Sequence, residues 1–489
     1  MSSSERPGQP AGKKVIPIVA APAAAGEGDA ASVSLYEAHQ KIYPRSIRGL
    51  FSRWRWAMVW LTQLVFYGLP WLSWGERQMV LFDLGARRFY LFGLVLYPQD
   101  FIYLTGLLVI SALSLFLFTA VAGRLWCGFA CPQTVYTEIF LWIEKVVEGD
   151  RSARLRLDQG GWTAEKLRKK ALKQALWIAI ALWTGFTFVG YFVPIRTLAA
   201  ELMALQGSWQ LFWVGFYGFA TYGNAGFLRE QVCKYMCPYA RFQSVMFDKD
   251  TLIVTYDPQR GERRGPRAKG VDYRAQGLGD CIDCKLCVQV CPTGIDIRDG
   301  LQYECIGCGL CVDACNTVMD KLQYPRGLIR FATQNAVAQG WARARMLRRV
   351  LRPRVLVYGG VLLALSVAMV ASLYVRTPLK VDVVRDRASL ARIVAGGQLE
   401  NVYRLQIMNA TEAPRSYRIT AGGLPGLAVA SEPVVAVESA QARWVAVRLQ
   451  LPHESWGSQE AGSHPIYFDI QAEEGAERVR EKSIFLVPR

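Results

Sequence analysis

"CIDCKLCVQVCP" (Cys281–Pro292) and "CIGCGLCVDACN" (Cys305–Asn316) decide what kind of fold the middle of this chain adopts. Each stretch places four cysteines at successive spacings of three, three and four. This is the run of a bacterial two-cluster ferredoxin, in which the fourth cysteine of each ladder ligates the other cluster. The pattern predicts one [4Fe–4S] cluster on Cys281, Cys284, Cys287 and Cys315, and a second on Cys305, Cys308, Cys311 and Cys291. Gly294, Gly307 and Gly309 would let backbone amides approach the sulfurs. Asn316 stands where a second proline is expected, which touches loop stiffness and not ligation. A pair of zinc sites is the plainer alternative, and eight cysteines in this duplicated order argue against it.

Outward from the ladders the chain turns oily and basic. It has 489 residues, 52% of them hydrophobic, and a formal net charge of +17, enough length for about three domains. The basic excess suits either nucleic acid or cytoplasmic loops of a membrane protein. Fifteen Trp and several long apolar runs favour the membrane, so no nucleic-acid partner is expected. All twelve cysteines lie between Cys127 and Cys315 in four tight clusters, which is ligand spacing and not a disulfide framework. The three histidines, His39, His453 and His464, sit outside the apolar segments, which argues against a bis-histidine membrane haem. No phosphate-loop motif is present, which argues against an ATP-driven pump.

The expected organisation is a multidomain membrane protein. Residues 1–41 form a tail rich in Ala, Ser, Gly and Pro, expected to be disordered and without a signal-peptide core. Five runs suit helices that span a bilayer: Trp56–Trp74, Phe101–Ala122, Ala175–Ile195, Gly207–Leu228 and Val355–Val375. The fourth is rich in Gly and Tyr and is expected to pack inside the bundle. The short apolar stretch Phe89–Pro98 is expected at the membrane interface. Arg45, Arg48, Arg53 and Arg55 precede the first run, nine Lys/Arg lie between Lys145 and Lys173, and six arginines from Arg343 to Arg354 precede the fifth. The positive-inside bias then puts the N-terminus and residues 229–354 in the cytoplasm, with the two-cluster domain at about 272–324. Arg77, Arg87 and Arg88 on the opposite loop dissent. Residues 376–489 fall outside, in a periplasm. Five alternating stretches there (401–409, 415–420, 442–451, 464–472 and 480–488) predict a small β-sandwich. Asn409-Ala410-Thr411 matches a glycosylation sequon by chance.

"RLWCGFACPQ" and "QVCKYMCPYA" repeat C-x-x-x-C-P, carrying Cys127 with Cys131 and Cys233 with Cys237. Two thiols four residues apart on a helical turn face the same way, and proline suits a new helix start. Both pairs follow the cytoplasmic end of a span, so the four sulfurs are expected to converge. With Met236 beside them they suit Cu(I), an iron–sulfur cluster or a redox disulfide; buried structural cysteines are the plainer reading. Glu138 and Glu144 follow the first pair, either as functional acids at the membrane boundary or as interfacial charges pairing with Lys145. The arginine runs also suit contact with anionic lipid headgroups.

These motifs, with "RQMVLFDLGARRFYLFGLVLYPQDF" (77–101) and "YPRGLIRF" (324–331), resemble the cytochrome c oxidase accessory protein family, called FixG, RdxA or CcoG, over about residues 42–489. The resemblance implies a bacterial inner-membrane protein linked to assembly of the cbb-type haem–copper oxidase. It also implies an immunoglobulin-like outer domain, and reduction of Cu(II) to Cu(I) for delivery to that oxidase or to a copper chaperone or transporter. The eight ladder cysteines then hold the clusters, and the two pairs match the family's membrane cysteines, the tentative copper or redox site. A quinol-linked electron-transfer subunit and a redox-sensing assembly scaffold without turnover are the rival functions. No flavin or nicotinamide motif identifies the cytoplasmic electron donor.

Overall fold

The computed structural model describes residues 41–267, 272–386 and 391–488, less the side chain of Ser244. The expected tail lies outside the described residues except for Lys41. The chain divides into residues 1–42 and 43–489, and the fold below is that of the second unit.

Among the described residues three helices are long and apolar enough to cross a membrane: Pro98–Ala122, Ala164–Val189 and Pro353–Val375. The other two expected spans are helical but shorter or less apolar. The first helix, Leu50–Gly68, starts and ends six residues earlier than expected and carries Arg53 and Arg55, because Pro70 and a 3-10 turn stop it. The fourth stops after 15 residues, at Ser208–Tyr222, where Gly223 opens a π-helical turn to Leu228. It is also not enclosed. Gly218 packs on Leu182 and Ala181, and Gly185 abuts the carbonyl of Val214, whereas Trp209, Phe212 and Phe219 are exposed.

Phe101–Ala122 and Pro353–Val375 run antiparallel and are pinned at both ends. Arg376 holds Asp100 at 2.6 Å, while Arg352 donates to the carbonyl of Ala120 at 2.7 Å and pairs with Asp248 at 2.9 Å. These pins define two faces. At the Arg376 end, Phe89–Pro98 is not a lone interfacial segment. With Val80–Asp83 it folds into a three-stranded antiparallel sheet, Val80–Asp83, Arg88–Leu91 and Leu94–Leu96. Leu81, Tyr90, Val95 and Tyr97 of this sheet bury against Met408, Ala410 and Ala440 of the C-terminal domain. Arg77 pairs with Glu412 at 2.5 Å and Arg88 donates to the carbonyl of Ala440. Two of the three dissenting arginines, Arg77 and Arg88, thus have structural work at this interface.

The C-terminal domain is a sandwich. One sheet orders 428–429, 442–451, 398–409 and 379–385, with 392–394 on the edge of 398–409; the other orders 434–437, 415–422, 462–472 and 478–487. Alternation puts Tyr403, Leu405 and Ile407 inward against Tyr417, Ile419, Phe468 and Phe485. Asn409 is fully buried, and its side chain bonds Thr411 and the carbonyl of Ala413, so the sequon is a turn device.

At the Arg352 end lie both ladders. They pack around a two-stranded antiparallel sheet of Ile253–Tyr256 and Ile329–Ala332, with Val254, Tyr256, Leu328 and Ile329 in their core. Gly128 seats this domain on the bundle: a methyl there would lie 2.8 Å from the carbonyl oxygen of Ile306 and 2.9 Å from the amide of Cys308. Gly128→Ala should therefore cost about 1–3 kcal/mol, as overpacking does. Thermal unfolding in detergent measures it, and an unchanged transition would mean the helix and the ladder do not touch.

Candidate functional site: two cysteine ladders and two cysteine pairs

The structure gathers the ladder cysteines in the crossed sets. One cavity is lined by Cys281, Cys284, Cys287 and Cys315, together with Ile282, Leu328 and other mostly apolar neighbours. A second is lined by Cys291, Cys305, Cys308 and Cys311, with Cys287 shared between the two. Neither wall contains a carboxylate. Burial pushes the Cys287 and Cys308 thiols up to about 11 and those of Cys305 and Cys315 up to about 12. Against burial, backbone amides of Val288, Gly307, Leu310 and Ile329 donate to Cys287, Cys305, Cys308 and Cys315. Apolar walls, four sulfurs each and amide donors fit an iron–sulfur cube, which when bound supplies one-electron transfer. Gly307, at φ +66°, faces the backbone of Arg124 and Leu125 at 3.2–3.4 Å, so a glycine is needed for both conformation and space.

The two C-x-x-x-C-P pairs also meet. Neither lies on one continuous helix, contrary to the single-turn expectation. Cys127 is in the short helix Leu125–Phe129, and Cys131 caps Pro132–Glu148 with proline in the first turn. Cys233 is in the π-turn Val232–Met236, and Cys237 caps Pro238–Met246 in the same way. Three ties hold the elements together: Gln133 Nε2 donates to the carbonyls of Asn224 (2.9 Å) and Arg229 (3.1 Å); Arg124 donates to the carbonyl of Ala240; and Cys127 Sγ lies 3.5 Å from Gln243 Oε1. Cys127, Cys131 and Cys237 all act electrostatically on Cys233, whose thiol burial first and these neighbours next push up to about 12. Met236, expected among possible ligands, is 59% exposed.

Family comparisons match this layout. A model described as a 4Fe-4S dicluster domain matches residues 228–334, a 4Fe-4S binding domain matches 104–148, and an IG-like fold at the C-terminal of FixG, putative oxidoreductase, matches 369–488. Nitrogen fixation protein FixG of Rhizobium meliloti is 38% identical over 423 residues, covering 80% of this chain and 81% of its own length. This chain belongs to the FixG/RdxA family. Protein RdxA of Cereibacter sphaeroides is 39% identical, covering 81% of this chain and 85% of its own length. A solved FixG-related protein from Vibrio parahaemolyticus aligns with 23% of this chain and 97% of its own at 21% identity and a TM-score of 0.21. With its two 4Fe-4S domain matches the chain is an iron–sulfur electron-transfer protein of this family, and the three apolar helices among its described residues associate it with a membrane.

For this FixG/RdxA member, sequence reasoning missed the charges that hold the second pair in place. Glu144 is 1% exposed and does not pair with Lys145. Its oxygens meet Arg229 at 2.7 Å, Arg154 at 2.8 Å and Lys173 at 3.7 Å. Glu138 pairs with Arg55 at 3.0 Å. Arg229, four residues before Cys233, is thus anchored to the helix that Cys131 caps. Burial raises the Glu144 carboxyl and the cations, Arg229 first, outweigh it, so the net shift is below its ordinary 4.5. A depressed pKa stabilises the fold fully above the unfolded value and loses that stability as pH falls through the folded one. Glu144→Gln should cost about 3–5 kcal/mol, because Arg229 and Arg154 lose their buried counter-charge while Lys173 keeps Glu148 at 3.0 Å. Denaturant unfolding near neutral pH checks this, and wild-type stability would show the network is solvated.

Proposed function

We propose that this chain is a multi-pass inner-membrane electron relay that reduces Cu(II) to Cu(I) for assembly of a cbb-type cytochrome c oxidase. In this reading all five helical runs span, with the cluster domain cytoplasmic and the sandwich periplasmic. Cys281, Cys284, Cys287 and Cys315 ligate one [4Fe–4S] cluster, and Cys305, Cys308, Cys311 and Cys291 the other. Each Cu(II) takes one electron from a reductant that enters at the ladder domain, where Cys284 is the exposed thiol among the described cysteines. The Cu(I) formed passes to the oxidase or to a copper chaperone or transporter.

One observation carries the reading. The thiols of Cys127, Cys131, Cys233 and Cys237 are gathered directly against the second ladder: Cys127 packs in one core with Cys308 and Cys311. A relay needs such adjacency, and a scaffold does not. The test is turnover by the purified full chain above the protein-free rate, with a donor that reduces the clusters but reduces free Cu(II) slowly and a Cu(I)-specific chelator as readout. Many Cu(I) per chain are expected. A single stoichiometric burst would overturn the reading in favour of a non-catalytic role.

A further inference from the structure

The two C-x-x-x-C-P pairs raise a counting question. The 4Fe-4S binding domain match at residues 104–148 contains just two cysteines, Cys127 and Cys131. The dicluster match at 228–334 contains ten, of which the two crossed sets use eight. Two are left over there, Cys233 and Cys237, and the fold brings these to the two in the first match. We propose that Cys127, Cys131, Cys233 and Cys237 together hold a third, resident iron–sulfur cluster, built from both halves of the chain. The proposal rests on the electron-transfer reading of this site and makes it the last station of the relay.

The number and kind of ligands favour a cluster: four thiols, one pair leading into each of two proline-started helices, are what a [4Fe–4S] cube takes. The flanking chemistry is also of the ladder kind. Backbone amides of Gln133 and Thr134 donate to Cys131, as ladder amides do to theirs. Arg124, 5% exposed, acts electrostatically on Cys127 and Cys233 from this site and on Cys305 from the second ladder. One buried cation therefore serves both, balancing the negative charge that thiolate-bound clusters carry. The contact of Gly128 with Ile306 and Cys308 fixes the distance between them.

The experiment is an iron and acid-labile sulfide count on the full chain, purified without oxygen and reconstituted, with spin integration of the reduced protein. Wild type should carry about twelve irons and twelve sulfides, and Cys127→Ser/Cys233→Ser about eight, at four per cluster. Cys131→Ser/Cys237→Ser should lose the same third while both ladder signals persist. About eight irons in wild type with both ladder signals at full intensity would overturn the proposal, as would a double variant that keeps the wild-type count. The wild-type count stands even if a variant fails to fold. Copper plays no part in it, so a third cluster without cupric turnover would sink the proposed activity alone, and eight irons with cupric turnover would sink the third cluster alone.

Discussion

Cu(II) reduction should fall by about two orders of magnitude, or about 2.7 kcal/mol of barrier, in the Cys127→Ser/Cys233→Ser variant. The change takes one sulfur from each pair and leaves near-isosteric hydroxyls, which are poor partners for soft metals. A serine at 127 keeps a hydrogen bond to Gln243, 3.5 Å from the present sulfur. Cys127 packs beside Cys308 and Cys311 but belongs to neither crossed set, and the ladder also seats on the backbone of Gly128, so its own clusters should keep their wild-type signals. Steady-state chelator assays beside low-temperature EPR measure both effects. Reduction at the wild-type rate would make the pairs structural and move the copper step elsewhere, with the exposed Cys284 the first alternative.

The second large effect is topological. Alkaline phosphatase fused after Arg489 should be active, and after Tyr324 inactive, with about a tenfold or greater contrast expected from the arginine bias. The Arg352 end gathers the cluster domain and the run Arg343, Arg345, Arg348, Arg349, Arg352 and Arg354. The three-stranded sheet and the sandwich share the other end, so the loop at 75–100 and the C-terminus must lie on one side. Arg77 and Arg88 on that side are engaged by Glu412 and the carbonyl of Ala440, which gives two of the three dissenting arginines a structural reason to stand there. The reverse pattern would expose the ladders to the periplasm and remove the cytoplasmic electron source.

Much of this layout was legible in the sequence because it rests on covalent spacing and period. The ladders declare themselves through fixed intervals, and the sandwich through alternation that matches its pleat, as at Tyr403, Leu405 and Ile407. Helix length was less legible. Tyr222 lies six residues inside the expected end of its span, and only the local competition at Gly223 and Gly226 ends the α-helix there. Short strands such as Ile253–Tyr256 and Ile329–Ala332 gave no periodic signal in four residues each, and pairing over more than seventy residues makes them a sheet. Least legible were Arg124, Gln133, Glu144 and Gln243, whose roles depend on elements distant in sequence. Their one signal was polarity in an otherwise apolar neighbourhood.

Electrons should leave the ladder clusters for Cu(II) through the four-cysteine site. Single-turnover freeze-quench EPR reads this, mixing anaerobically reduced full chain with Cu(II) and following both signals in wild type and in Cys127→Ser/Cys233→Ser. In wild type the reduced-cluster and Cu(II) signals should vanish together, and in the variant both should persist at least about tenfold longer. Equal decay in the two proteins would mean that the electron takes another route.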